Sequence, residues 1–177
     1  MIEILCERVS NRRNEYEEYL NQHISGVKKA FNSIKNGLLT ESDLTVEELT
    51  KLEIQIENHD SSKYEDEEFY PYLHHFYPSE AGADNEVFYD RAWNHHQKSN
   101  PHHWQYWILQ KDSGSQKILD MPEEYIIEML CDWSSFQYVT DSESTANNWY
   151  SKNKDVMILS DNTKAIVEKY LKAFPSL

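Results

Sequence analysis

Only two of the 177 residues are cysteine, and Cys6 and Cys131 stand far apart in the chain. That rules out a disulfide framework and every paired-cysteine zinc motif, so reduced thiols are expected. Basic residues are also scarce, 17 Lys and Arg against 31 Asp and Glu, for a net charge of −14. Such a balance argues against a surface built to grip a phosphate backbone, and hence against a nucleic-acid duplex as partner. No run approaches the roughly 18 consecutive apolar residues of a membrane span. The opening "MIEILCERVSNRRNEYEEYL" has neither the basic start nor the small-residue cleavage site of a secretory signal. No membrane partner is expected, and a cytoplasmic location is. The HExxH pattern, the Gly-rich phosphate loop and the GxSxG elbow are all missing.

What is present is helical. In "NEYEEYLNQHISGVKKAFNSI", Tyr16, Leu20, His23, Val27, Ala30 and Ile34 recur at steps of three and four, which sets His23 on the face turned to the core. A second helix is expected after a Thr45 cap, with Leu49, Leu52 and Ile56 on its stripe and His59 and Asp60 at its close. The stretch "SSKYEDEEFYPYLHHFYPSEAGAD" reads as an irregular connection with a turn at Gly82. Helical spacing resumes from Asn85 to about Lys98 through Val87, Phe88, Ala92 and His95 or His96, and Pro101 breaks it. Lys111 to Asp120 reads as a loop. Pro122 suits the first position of a helix over "PEEYIIEMLCDWSSF", in which Glu128 and Asp132 share a face. Two short helices follow, the last opened by Ser160 or Asp161. The one compact β-like run, "DVMILS", is hemmed in by helices, so the expected fold class is all-α, a single bundle over residues 1–177.

Half of the eight histidines fall in sixteen residues, "AWNHHQKSNPHHWQYW". A lone histidine on an apolar face is more often a hydrogen-bonded core residue than a ligand, and His59-Asp60 alone would suit a helix end. Here His23, His59, Asp60, His96, His102, His103 and Asp132 come from separate segments. Imidazole nitrogens and carboxylate oxygens so distributed can surround a divalent ion in a bundle core while every helix keeps its backbone bonds. The tryptophans among them read as core or cavity wall, with a nucleobase as a second use.

The order His23, "HD" at His59-Asp60, His96 with the "HH" pair, then Asp132, resembles the HD-domain superfamily of metal-dependent phosphohydrolases, and "HDSSK" is similar to its His-Asp-x-x-Lys form. "HDSSKYEDEEF", "AWNHHQKSNPHHWQYW", "EMLCDW" and "WYSKNKDVMILSDNTKAIVE" together more closely resemble a family of uncharacterised domains found in phages and bacteria. The superfamily resemblance implies an HD-like helical domain in which His23, His59, Asp60 and Asp132 hold one ion. It further implies a second ion on His96 with His102 or His103, bridged by Asp60, and leaves the choice within each doublet open. The ions, one or two of Mn, Mg, Fe or Zn, would activate water and polarise a phosphoryl oxygen. Asp60 and Lys63 are the implied catalytic residues, Lys63 as a point charge for a phosphate oxygen, with Glu128 as a further ligand or the support of a ligating imidazole. His74 and His75 match no superfamily position. The implied function is hydrolysis of a nucleotide or other small phosphoester. The alternative is a noncatalytic domain that binds metal or nucleotide, or an acidic interaction protein.

Overall fold

The computed structural model describes residues 2–41, 44–79, 86–139 and 144–174, with side chains of the first stretch from residue 10 to 38; the side chain of Cys6 and the turn at Gly82 lie outside the described residues. Among them the chain forms seven α-helices and one two-stranded hairpin, an all-α fold.

Helix α1 (Ile2–Glu41) buries the whole expected stripe, Tyr16, Leu20, His23, Val27, Ala30 and Ile34. It runs well past that stripe at both ends, a span of about 60 Å. Polar helix formers and pairs such as Arg13 with Glu17, 2.8 Å apart, favour helix without needing an apolar face. Helix α2 (Val46–Glu57) starts at Thr45 in a capping box with Glu48 and buries Leu49, Leu52 and Ile56. It ends before His59 and Asp60, which the sequence had placed at its close. Asp60 instead takes a left-handed conformation, φ 56°, one that Asp tolerates better than most side chains, and opens a 3-10 turn over Ser61–Tyr64.

The expected irregular connection is in fact helix α3 (Asp66–Phe76). Asp66, Glu67 and Glu68 in its first turn complement the helix dipole, and Phe69, Tyr72 and Leu73 share a buried face. That burial outweighs the hydrogen bond Pro71 cannot donate. Helix α4 (Glu86–Ser99) turns Ala92 and His96 inward, whereas Val87 and Phe88 are more than half exposed; its inner face begins near Tyr89. After Pro101 come a 3-10 turn over Trp104–Trp107 and strands β1 (Ile108–Gln110) and β2 (Gln116–Ile118), paired antiparallel with Ile108 opposite Ile118. The loop expected from Lys111 to Asp120 is thus partly a hairpin, closed by Gly114 at φ 82°. Its strands lie on the surface and carry no apolar alternation that would announce them. "DVMILS" forms no strand and buries Met157 and Leu159 as coil.

Helices α5 (Glu123–Ser135), α6 (Ala146–Asn153) and α7 (Asp161–Tyr170) complete the bundle, with Pro122, Thr145 and Ser160 at their N-caps. Two apolar clusters result. One joins α1, α2, α5 and α7 around Val27, Leu52, Ile126, Leu130 and Val167; the other joins α1, α3 and α4 around Tyr16, Leu20, Phe69, Tyr72 and Ala92. On α1, His23 falls between Leu20 of one cluster and Val27 of the other, so the seam between them carries polar side chains. Gly26 lets α1 and α5 meet there, since a Cβ at that position would stand 2.7 Å from the Ser135 carbonyl oxygen. No helix among the described residues is long and apolar enough to cross a membrane.

Candidate metal centre

The seam gathers every sequence-derived candidate around Asp60. On one side, Asp60 Oδ2 lies 3.3 Å from His23 Nε2 and 3.5 Å from His59 Nε2. Asp132 Oδ1 is 3.3 Å and 3.7 Å from the same two nitrogens. On the other side, Asp60 Oδ1 lies 3.3 Å from His96 Nε2 and 3.5 Å from His102 Nε2, and His103 joins this group with its ligand atom within 4.8 Å of the rest. These separations are long for hydrogen bonds. They match ligand-to-ligand spacing, because two atoms each about 2.1 Å from one tetrahedral ion lie about 3.4 Å apart.

The Nε2 atoms of His23, His59, His96, His102 and His103 and Asp60 Oδ1 are all buried without a hydrogen-bond partner among the described residues. Burying so many unpaired polar atoms is costly unless something else binds them. The opposite edges of four of these rings are occupied. His23 Nδ1 meets Ser135 Oγ at 3.1 Å, and His96 Nδ1 meets Glu68 Oε2 at 2.8 Å. Glu128 Oε1 takes two rings, His59 Nδ1 at 2.9 Å and His102 Nδ1 at 3.4 Å. Carboxylates accepting from Nδ1–H of His59, His96 and His102 favour the tautomer that would turn their Nε2 lone pairs inward to an ion.

Within the first doublet His96 is fully buried, while His95 is partly exposed and turns to Glu68 Oε1 at 2.7 Å. Both members of the second doublet face the centre, the turn at Asn100-Pro101 bringing them back toward His96. Asn100 steadies that turn by donating to the His96 carbonyl oxygen and to Ser62 Oγ. Lys63 Nζ sits 2.6 Å from Asp60 Oδ2. Glu128 touches the Nδ1 edges rather than the inner atoms. His74 and His75 lie elsewhere, near Arg12 and stacked on Tyr89.

Electrostatics follow the geometry. Burial alone would raise the Asp60 pKa, but His59, Lys63 and the nearby imidazoles of His23 and His96 hold it well below the usual carboxylate range. Asp132 is held well below in the same way, burial being overcome by His23 and His59. Burial opposes charge on His59, yet Asp60, Asp132 and Glu128 carry it up to about 10. His103 goes the other way, well below the usual value, through burial and the neighbouring His102 and His96. Cys131 is buried with its thiol pushed well up, inert beside these groups.

Sequence reasoning missed Glu68, completely buried and bonded to His95, His96 and Ser62. Its signal lay in the periodicity of Phe69, Tyr72 and Leu73, obscured by Pro71. Ser135, one turn beyond Asp132, was missed as well. A cavity of about 230 Å³ opens onto the centre, lined by His23, Asp60, Lys63, His102, His103 and Asp132 and by Tyr19, Trp93, Trp104, Trp133, Phe136 and Trp149. No curated protein and no solved structure matches the chain. The family of unknown function DUF5662 matches residues 12–173, nearly the whole length, and the chain belongs to that family.

Proposed function

We propose that this chain is a metal-dependent phosphohydrolase acting on a nucleotide or other small phosphoester. The observation that carries the reading is the convergence of four unpartnered imidazole Nε2 atoms on the two oxygens of one buried aspartate, with His103 beside them. The donor set fits divalent ions. His23, His59, Asp60 and Asp132 would hold one, and His96, His102 and His103 with the other Asp60 oxygen would hold a second. So many imidazoles favour Fe or Zn over Mg. The HD-like order of the ligands supports the same assignment, and the proposed setting is cytoplasmic.

Bound there, divalent ions supply Lewis acidity toward water and a phosphoryl oxygen. The protein's own groups do the rest. Lys63, the one Lys or Arg among the described residues lining the cavity, holds a nonbridging phosphate oxygen as a point charge. Glu128 and Glu68 fix the imidazole planes, and the aromatic wall keeps bulk water out, which strengthens each charge interaction inside. The test combines elemental analysis with a phosphate-release screen of nucleotides, cyclic nucleotides and simple phosphomonoesters in Mn²⁺, Mg²⁺, Fe²⁺ or Zn²⁺. Bound metal and turnover that Asp60→Ala abolishes are expected. Bound metal with no phosphate released from any of them would leave a noncatalytic metal-binding domain, and no bound metal would overturn the reading entirely.

A further inference from the structure

Among the described residues lining the cavity over the centre there is one neutral side-chain amide, that of Gln105. Gln105 lines the wall next to His102, His103 and Trp104, and its Oε1 is buried with no hydrogen-bond partner among the described residues. A buried amide oxygen left unpaired is costly, so a complement from outside the chain is the economical explanation for its place. Around it the wall is aromatic. Trp133 and Trp149 are stacked, with centroids 4.2 Å apart and planes inclined by 20°, and both line the cavity beside Trp104 and Phe136. Flat rings of this kind receive another flat ring, and a carboxamide beside them reads its edge, offering donor and acceptor side by side.

Size narrows the ligand. At about 230 Å³ the cavity is smaller than the roughly 300–1,000 Å³ of pockets for drug-sized molecules, and Lys63 is the only Lys or Arg among its described lining residues. A nucleoside monophosphate is nearer that space and charge than a nucleoside triphosphate.

We infer that Gln105 is the specificity-determining residue of this site: its carboxamide hydrogen-bonds the edge of a planar nitrogen heterocycle held against the tryptophan wall, selecting a nucleoside monophosphate over a phosphoester without a ring. The inference rests on the proposed phosphohydrolase site for its placement, but its test is a binding measurement.

The experiment titrates the metal-loaded protein with the four common nucleoside monophosphates, ribose 5-phosphate and the matching triphosphates, following tryptophan fluorescence, while released phosphate is assayed separately. The tightest monophosphate should bind at least tenfold more tightly than ribose 5-phosphate and than its own triphosphate. Gln105→Leu should erase about tenfold of that preference and leave ribose 5-phosphate affinity and metal content within twofold, and Gln105→Asn should restore part of it. Equal affinity for ribose 5-phosphate and every monophosphate overturns the inference, as does a Gln105→Leu variant that weakens all ligands alike. Ring-dependent binding without phosphate release sinks the hydrolase reading and leaves this one standing. Release from all phosphoesters at one rate, with no dependence on Gln105, does the reverse.

Discussion

The two halves of the centre are built from different material. His23, His59 and Asp132 come from, or just beyond, helices with long apolar stripes, α1, α2 and α5, and their partners on the Nδ1 edges, Ser135 and Glu128, are on α5. His96, His102 and His103 come from the end of α4 and the turn after it, and their rigidity is borrowed from α3 through Glu68 and from α5 through Glu128. The first half is fixed by core packing, the second by a network of hydrogen bonds around a reversal of the chain. Asp60 belongs to both, and its left-handed backbone aims one carboxylate oxygen at each.

The largest effect should come from removing what the halves share. Asp60→Ala takes an oxygen from each, and metal content should drop to under a tenth of the wild-type value. Variants confined to one half should then separate them. Asp132→Ala should leave an ion on the His96 side, and His96→Ala should leave one on the His23 side, each lowering the metal-to-protein ratio from two to one by elemental analysis. If either single variant empties the protein completely, the halves are not independent and the two-ion description fails.

Protons compete for the same atoms, and here the sign is definite. In the metal-free chain His59 carries its proton up to about 10, and His96 is likewise raised, burial being overcome by Asp60 and Glu68. An ion must displace those protons, so affinity rises with pH and metal is lost as pH falls. About tenfold in affinity per pH unit is expected for each proton released between pH 6 and 9. Proton uptake and release can be counted by calorimetry in buffers of different ionisation heat. A flat affinity across that range would mean the ligating rings are already neutral.

The supporting carboxylates should act more weakly, and unequally. Glu128 Oε1 serves His59 of one half and His102 of the other, whereas Glu68 serves only the His96 side. Glu128→Gln should therefore weaken both ions by about 10- to 100-fold, and Glu68→Gln only one of them. Equal loss of both ions in Glu68→Gln would contradict the division.

The same contrast explains how much could be read from the sequence. The stripe on α1 leaves His23 no outward position, and Asp132 shares a face with Glu128, so spacing alone brings them to the core. The doublets have no such stripe: Ala92 is the one apolar residue on α4 that is buried with His96, and Val87 and Phe88, which shared the expected spacing, face outward. Periodicity therefore could not choose between His102 and His103, and the structure turns both inward. Glu68 stayed hidden because Pro71 argues locally against a helix that burial of Phe69, Tyr72 and Leu73 stabilises. The hairpin was illegible for the opposite reason, since short exposed strands bury little and leave no pattern.

The smallest effect should reach the centre through packing alone. Gly26 lies three residues after His23 on α1, and a methyl group there would press on the Ser135 carbonyl oxygen at 2.7 Å and on the Val139 side chain at 3.2 Å. Backbone cannot yield as a flexible side chain does, so α1 and α5 must separate slightly. Gly26→Ala gains some helix propensity, but overpacking at this contact should cost more, for a net loss of about 1–3 kcal/mol measured by denaturant unfolding. His23 rides on α1 and its Nδ1 partner Ser135 on α5, so the same shift should loosen the ion on the His23 side by a few-fold. The ion on the His96 side, held from α3 and α4 and tied to α5 through Glu128 two turns before Ser135, should lose less. Were both ions weakened equally by this one methyl group, the halves would share more of their scaffold than Asp60 and Glu128, and the distinction between a packed half and a hydrogen-bonded half would not hold.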